Sequence, residues 1–416
     1  MIVCWYPNWP GVREGCEDLI REGFLRFLYE SASMQRWNDH NRPHKGFTEL
    51  DKQAHKLFYA YVVGRLEEDD GTRIDWTALI EGAMFEFFQR IVLTDIKPPI
   101  FHKLMEKHGT PLNRLVLERL REKGVFEIEE GLEGRAESYF FDESLHTHEK
   151  RILRASHYLA TNWEFDIVYR LSTNFFGLEE TRRSIESQIQ EHRDINGVQK
   201  LIFNRSVKDF LNLIGQLRFQ QRWAQTPRLP ETSVAGHMLV VAVLAYMLSL
   251  EIGACDKRKY NNFFGGLFHD LPEVLTRDIV SPVKNSIEGL GELIKQIEDG
   301  QMEEVIYPLL PTGWDREIRY FTENEFSSKI IKDGCISETD SDQINALYND
   351  DAFSPVDGNI IEFCDKLAAY MEAFLSIKHG VSSKNLLDGH SHLYEKYKNH
   401  RVAGLDAGML FDYFKL

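Results

Sequence analysis

A series of short sequence landmarks occurs twice, in the same order, in the two halves of this 416-residue chain. Internal similarity of this kind indicates that one structural unit has been used twice. Apolar residues recur at helical spacing in both halves, and few segments alternate with period two, so each unit is predicted to be a bundle of α-helices. The paired landmarks are Gln35-Arg36-Trp37 with Gln221-Arg222-Trp223, His55 with His237, Glu86-Phe87 with His269-Asp270, Asp95 with Asp278, and His157 with Asp365.

We therefore predict an all-α protein with two tandem domains, residues 1–195 (the first half) and residues 200–416 (the second half). The join falls in the charged segment 179–200, which lacks a strong apolar face and is typical of an exposed helix or linker. The alternative is that two unrelated amphipathic bundles share these landmarks by chance.

The segment 265–284, GGLFHDLPEVLTRDIVSPVK, is the strongest candidate for a functional site. His269 and Asp270 are adjacent, so their side chains diverge around a helix and can share an ion only with ligands from other helices. Glu273 follows about one turn after His269 and could hydrogen-bond to a water held by such an ion.

Two further residues complete an economical set of metal ligands. His237 lies near the start of a capped, almost wholly apolar helix, and Asp365 lies among apolar residues of another amphipathic helix. A buried carboxylate is costly unless it is paired or bound to metal. Imidazoles and carboxylates without thiolates suit one divalent ion, and the sequence leaves Mn, Co, Mg, Fe, Ni and Zn all open.

The first half lacks most of these groups. Glu86-Phe87 replaces the His-Asp pair, His157 replaces the later acid, and Arg90 stands where the second half has its helical glutamate. Of the proposed ligands only the first histidine has an expected counterpart, His55. Because a phenylalanine cannot bind a metal, we predict that the first half is metal-free and catalytically inactive.

The amino-acid composition limits the classes of partner and the cellular location that are expected for this protein. The formal net charge of −16 argues against a general nucleic-acid binder, because proteins bind phosphate polymers through clustered lysine and arginine. The five cysteines are scattered without a CxxC spacing, which predicts reduced thiols and a cytoplasmic protein. The N-terminus lacks a signal-peptide pattern, and the apolar run 239–250 is too short to span a bilayer, so no membrane association is expected.

With Arg222-Trp223, then His237, the HDLPEVLTRDIVSPVK stretch and Asp365, the second half resembles the HD-domain metal-dependent phosphohydrolases. The bacterial 5'-deoxynucleotidase-like subgroup is the most similar in pattern. The resemblance covers residues 205–416 well and the first half only as a degenerate copy. It implies two tandem HD-type bundles that form a pseudo-dimer within the chain, since relatives of this subgroup are usually dimers, and it leaves a further homodimer open.

The resemblance also implies a role for each candidate residue. It assigns metal ligation to His237, His269, Asp270 and Asp365, and the positioning or deprotonation of water to Glu273. Phosphate binding falls to Arg222 and Lys284. Trp223 would lie near the sugar, and Asp278 near the leaving oxygen or the sugar. Two positions depart from the subgroup's pattern. Gly236 stands where an acid usually precedes the histidine, and Arg277 stands where a glycine is usual.

Structural roles remain open for four of these residues. Arg222 could pair with a surface acid, Trp223 could be part of the core, Lys284 could cap a helix, and Asp278 could be an N-cap. The predicted function is removal of phosphate from nucleotides, with (deoxy)nucleoside 5'-monophosphates favoured, by attack of a metal-activated water. The alternatives are another nucleotide phosphoester, such as a triphosphate, a cyclic nucleotide or an alarmone, and a nucleotide-binding sensor with little turnover.

Overall fold

A computed structural model of the protein describes residues 20–37, 47–94, 96, 98–171, 176–279 and 287–416. Helices dominate these residues, which confirms the all-α prediction. The helices are α1 Glu22–Glu30, α2 Glu49–Asp69, α3 Trp76–Leu93, α4 Pro98–Glu122, α5 Leu132–Phe141, α6 Thr147–Leu171, α7 Leu178–Gln190, α8 Asn196–Phe203, α9 Arg205–Gly215, α10 Val234–Glu251, α11 Asp256–Phe268, α12 Glu273–Thr276, α13 Leu290–Gln301, α14 Asp315–Thr322, α15 Ser341–Gln343, α16 Gly358–Lys378, α17 Lys384–Tyr397 and α18 Met409–Asp412.

A small antiparallel hairpin interrupts the helices of the second half. It consists of β1 Lys329–Lys332 and β2 Cys335–Glu338, with Ile331 opposite Ile336. The segment that carries this hairpin approaches the candidate site through one side chain, because the ring of Phe326 lies 6.2 Å from that of His269.

The two halves share one apolar core. Helix α2 of the first half packs against α10 and α11 of the second, and the rings of Phe58 and Phe268 meet at 5.0 Å. Tyr61 and Phe264 also lie 5.0 Å apart. Burial of apolar surface across this boundary stabilises both halves together. The predicted domain boundary is therefore not a boundary between separate cores.

Helix α10 runs through the middle of this core. The Ser233 side chain caps it by accepting a hydrogen bond from the Gly236 amide. The helix has the length and composition of a membrane span, but 94% of it is buried inside the protein. Its apolar character on every face is therefore that of a central core helix.

The two halves repeat the same local geometry at the QRW landmarks. Gln35 forms a β-bridge with Thr48, the N-cap of α2, and Gln221 forms the same bridge with Ser233, the N-cap of α10. The tryptophan that ends each landmark then adopts a left-handed backbone conformation, at φ 64° in the first half and φ 56° in the second.

A second repeated feature follows the helix that precedes each candidate acid. Thr94 after α3 has φ 58°, and Arg277 after α12 has φ 67°. A residue with positive φ is uncommon unless it is glycine, so the glycine usual at the Arg277 position has a conformational reason. The matching Asp95 lies outside the described residues. These repeats agree with a duplicated unit, and the pseudo-dimer itself stays a prediction.

The helix caps show how the sequence of α2 aligns with that of α10, and they correct the expected pairing of His55 with His237. The fourth residue after the cap Thr48 is Lys52, and the fourth residue after the cap Ser233 is His237. Lys52, and not His55, therefore occupies the place of His237. A shift of three residues along a helix leaves a side chain near the same face, so the apolar pattern alone could not separate the two.

His55 has a structural role instead. Its Nε2 donates a hydrogen bond to the carbonyl oxygen of Leu211 at 3.1 Å, and its ring meets that of Trp163 edge-on at 4.8 Å. Burial lowers the pKa of His55 to about 3, so the ring is neutral at neutral pH.

Candidate active site

The four predicted metal ligands converge from three helical segments. His237 lies in the first turn of α10, His269 and Asp270 follow the end of α11, and Asp365 lies within α16. Ligand atoms of the two histidines and Asp270 all lie within 4.8 Å of one another. Asp365 Oδ1 lies 2.8 Å from His237 Nε2. The structure thus brings together the whole ligand set that the sequence predicts.

His269 is oriented as a ligand would be. Its Nδ1 donates to the backbone carbonyl of Gly266 at 2.8 Å, which turns Nε2 toward the site. That Nε2 is buried and makes no hydrogen bond, although Asp270 Oδ2 lies 3.2 Å away. Metal-bound histidines are typically anchored in this way through their second nitrogen. The donor set therefore fits a divalent ion.

Both carboxylates of the ligand set are held in the charged form. Burial acts to raise the pKa of Asp270, but His269 and Arg222 hold it well below its usual range. Burial likewise opposes ionisation of Asp365, whereas Lys366 and His237 lower its pKa. Lys366 Nζ donates to Asp365 at 2.6 Å. Two largely buried anions beside two imidazoles create a strong field for a cation.

Arg222 spans the acidic side of the site. Its Nη1 lies 3.5 Å from Asp270 and 3.7 Å from Asp278, and its Nη2 lies 3.7 Å from Asp365. Burial opposes its charge, but the surrounding carboxylates, led by Asp278, raise the pKa of Arg222. A guanidinium in this place adjoins the ligand set and can offer paired N–H donors to a phosphate.

Comparison with known proteins agrees with this geometry. Residues 214–394 match the family described as an HD domain. An HD domain therefore lies within the second half of the chain. No solved structure shows a significant match to it.

Three curated relatives share part of the chain. A dATP triphosphohydrolase of Acinetobacter phage SH-Ab 15497 is 36% identical over 97 residues, which cover 20% of this chain and 47% of the relative. A 5'-deoxynucleotidase of Vibrio vulnificus is 27% identical over 127 residues, covering 29% and 63%. Another from Vibrio atlanticus is 25% identical over 134 residues, covering 30% and 66%. The chain thus spans between about half and two thirds of the length of these relatives.

The HD domain contains a buried acid that the sequence analysis missed. Glu372 accepts hydrogen bonds from Trp223 Nε1 at 3.1 Å and from Thr232 Oγ1 at 2.8 Å, and it lies 3.5 Å from His237 Nδ1. Burial opposes its charge, but Arg228 and His237 lower the pKa of Glu372 to about 2. Glu372 lies seven residues after Asp365 on the same helix face, and this spacing could have revealed Glu372 in the sequence.

Glu372 changes the interpretation of Trp223. The indole N–H is directed to this buried carboxylate, and the far edge of the ring lies close to Gly389. Trp223 therefore packs into the wall of the HD domain behind His237, and its N–H is not offered to a ligand.

The remaining predicted residues flank the ligands. Glu273 opens α12 directly after the His-Asp pair and is buried. Asp278 follows the left-handed Arg277 and faces Arg222. Lys284 lies outside the described residues, so its predicted contact with phosphate stays a prediction.

The first half contributes an acid next to the HD domain's first histidine. Asp51 of α2 accepts a hydrogen bond from Ser233 Oγ at 2.5 Å. A Cβ at Gly236 would lie only 2.8 Å from the same Asp51 oxygen. Gly236, which departs from the subgroup's pattern, thus makes room for a carboxylate supplied by the other half of the chain.

Proposed function

We propose that the protein is a metal-dependent hydrolase of nucleotide phosphoesters, with (deoxy)nucleoside 5'-monophosphates as preferred substrates. The convergence of His237, His269, Asp270 and Asp365 around one point, with Arg222 beside it, carries this proposal. A divalent ion bound there would act as a Lewis acid and lower the pKa of a bound water toward neutrality.

The side chains supply the remaining chemistry. Glu273 would accept the proton of the attacking water, whose oxygen forms the new bond to phosphorus as the ester oxygen leaves. Arg222 would hold the phosphate by its paired N–H groups. Glu372, 3.5 Å from His237 Nδ1, would hold that ring in the tautomer whose Nε2 faces the site.

The relatives suggest two substrate classes. Two of them are named 5'-deoxynucleotidases, which supports monophosphates, and the phage relative is named a dATP triphosphohydrolase, which supports a deoxynucleoside triphosphate as the second candidate. A net charge of −16 speaks against a polymeric substrate.

The first half has a proposed role as well. The shared core and the contact of Asp51 with Ser233 support a pseudo-dimer in which residues 1–195 serve the HD domain as a permanent partner. Such a partner would stabilise α10 through its packing against α2.

The test is product analysis with deoxynucleoside mono- and triphosphates in the presence of Mn, Co or Mg. Orthophosphate released from monophosphates would support the preferred class, and tripolyphosphate released from triphosphates would support the second. In Asp270→Ala we expect the rate to fall more than about 100-fold. Mutation of a residue that only hydrogen-bonds to a metal ligand already lowers metal affinity or activity by about 10–100-fold, and Asp270 is itself a proposed ligand.

The matched control is Asp388→Ala, which removes an exposed acid from the same domain and should leave the rate unchanged. Equal activity of Asp270→Ala and wild type, or no hydrolysis of any nucleotide by a metal-loaded protein, would contradict the proposal.

A further inference from the structure

The place in the first half that corresponds to the active site holds a cluster of basic side chains, here called the basic pocket. Lys52 stands at the position of His237, and its Nζ lies 2.5 Å from Nδ1 of His157, which stands at the position of Asp365. A lysine thus faces a histidine where the HD domain has a histidine facing a carboxylate. The basic pocket consists of Arg36, Lys52, Lys56, Arg90 and His157.

Three carboxylates enter this pocket, and each is already engaged. Glu49 accepts a hydrogen bond from Arg36 at 2.8 Å. Glu86 binds Lys56 and also accepts from Tyr139 at 2.6 Å. Glu164 is shared between Arg36 and a fully buried arginine, Arg218.

Among the described residues, positive charge therefore exceeds negative charge in the pocket. Four arginine and lysine side chains of the pocket face three described carboxylates, and one of these carboxylates also pairs with Arg218. Among the described residues, Lys52 makes no hydrogen bond to a carboxylate. The Nε of Arg90 is buried without a hydrogen bond, and its nearest carboxylate oxygen, on Glu49, is 3.6 Å away.

Such an arrangement is costly unless an anion completes it. Burial and the neighbouring Arg36 lower the pKa of Lys52, and burial together with Lys52 lowers that of His157. Burial is the larger cause of both shifts, and the repulsion between the cations of the pocket adds to it. The excess is notable because the chain as a whole has a formal charge of −16.

The pocket is not sealed within the described part of the chain. The side chains of Arg36 and Arg90 are 11% and 12% exposed, and that of Glu86 is 30% exposed. An anion would have to enter at these three side chains, since Lys52 and the Arg90 Nε are themselves buried. Several donors around one point favour a tetrahedral oxyanion, since arginine offers paired N–H groups and lysine offers a point charge.

We propose that the basic pocket binds a phosphate-bearing anion, either inorganic phosphate or the phosphate of a nucleotide. The first half would then be a binding module that has lost the metal site and acquired an anion site. This inference does not depend on the function proposed for the HD domain.

The test is isothermal titration calorimetry on the full chain with inorganic phosphate, dAMP and dATP as separate probes. All proteins carry Arg222→Gln and are measured in EDTA, so that the metal and the phosphate-binding arginine of the HD domain do not contribute. We expect one anion per chain. Adding Lys52→Met or Arg90→Gln should weaken binding at least about tenfold, because one charged partner of the anion is removed.

The control substitution is Lys103→Met, which removes an exposed lysine from the first half and should leave the affinity unchanged. Equal affinity for all three probes would identify inorganic phosphate as the ligand chemistry, and tighter binding of dAMP or dATP would identify a nucleotide. Either result supports the anion site. Activity of the HD domain is assayed separately, so the two proposals can fail independently.

A stability measurement guards against misfolding of the variants. Lys52→Met should raise the melting temperature of the anion-free protein, because a poorly compensated buried ammonium is removed, and should abolish the rise that phosphate produces in the parent. Unchanged phosphate affinity in Lys52→Met, or no binding at millimolar phosphate in the parent, would overturn the proposal.

Discussion

The candidate active site of the HD domain and the basic pocket of the first half share a scaffold and differ in charge. In each, a tryptophan with left-handed backbone donates its indole N–H to a buried glutamate, at 3.1 Å from Trp223 to Glu372 and at 2.9 Å from Trp37 to Glu164. The groups in front of that glutamate are opposite in sign. The comparison shows that helix packing and capping can persist while the side chains between the helices change from candidate metal ligands to basic residues.

Separating the two halves should have the largest effect. We expect residues 200–416 alone to be unfolded or aggregated, because Phe264 and Phe268 would lose their partners in α2. Circular dichroism and thermal unfolding of the fragment measure this, and co-expression with residues 1–195 should restore a folded, active complex. A stable, fully active fragment would refute the pseudo-dimer.

The two buried glutamates should respond differently to the same change. Glu372→Gln should weaken metal binding about 10–100-fold, since this carboxylate orients His237. Glu164→Gln should leave metal affinity unchanged but lower the free energy of unfolding by about 3–5 kcal/mol, because it breaks a fully buried pair with Arg218.

Metal titration of both variants, with urea unfolding of each, checks this pair of expectations. The predicted contrast fails if Glu164→Gln loses metal affinity as strongly as Glu372→Gln does.

The contact between the halves at Gly236 can be tested by adding a single methyl group. Gly236→Ala places a Cβ 2.8 Å from Asp51 Oδ1 and should cost about 1–3 kcal/mol of stability through overpacking. The double variant Gly236→Ala, Asp51→Ala removes the clash with the carboxylate, which is the closest of the contacts. If the single variant is as stable as wild type, the close approach of the halves at this point is wrong.

The effect expected to be smallest at neutral pH concerns His55, whose contribution to stability changes only in acid. The pKa of His55 is lowered from 6.5 to about 3 in the folded protein, so the unfolded chain binds a proton in this window that the folded chain does not. Its contribution to stability therefore falls as the pH decreases from 6.5 to 3, by up to about 1.4 kcal/mol per pH unit. The difference in urea unfolding between wild type and His55→Gln across this range isolates the effect, and parallel pH profiles would contradict it.

Much of the site was predictable because its chemistry is local in the sequence. The adjacent His269 and Asp270, the lone imidazole of α10 and the acid in α16 are residues that apolar helices rarely carry without a partner. Glu372 was not predicted as part of the site, because a second acid in a partly polar helix has no distinctive sequence pattern until its hydrogen-bond partners are known.

By itself the sequence determined the helical class, the candidate ligand types of the HD domain and the absence of most of those residue types from the first half. Helical periodicity and the side-chain inventory are sufficient for these conclusions. Only the tertiary structure decided that Lys52, and not His55, stands in the place of His237, that Asp51 reaches Gly236, and that the halves share one core. Those facts depend on helix register and on contacts between residues more than 100 positions apart in the sequence. Apolar periodicity determines neither the register nor the long-range contacts.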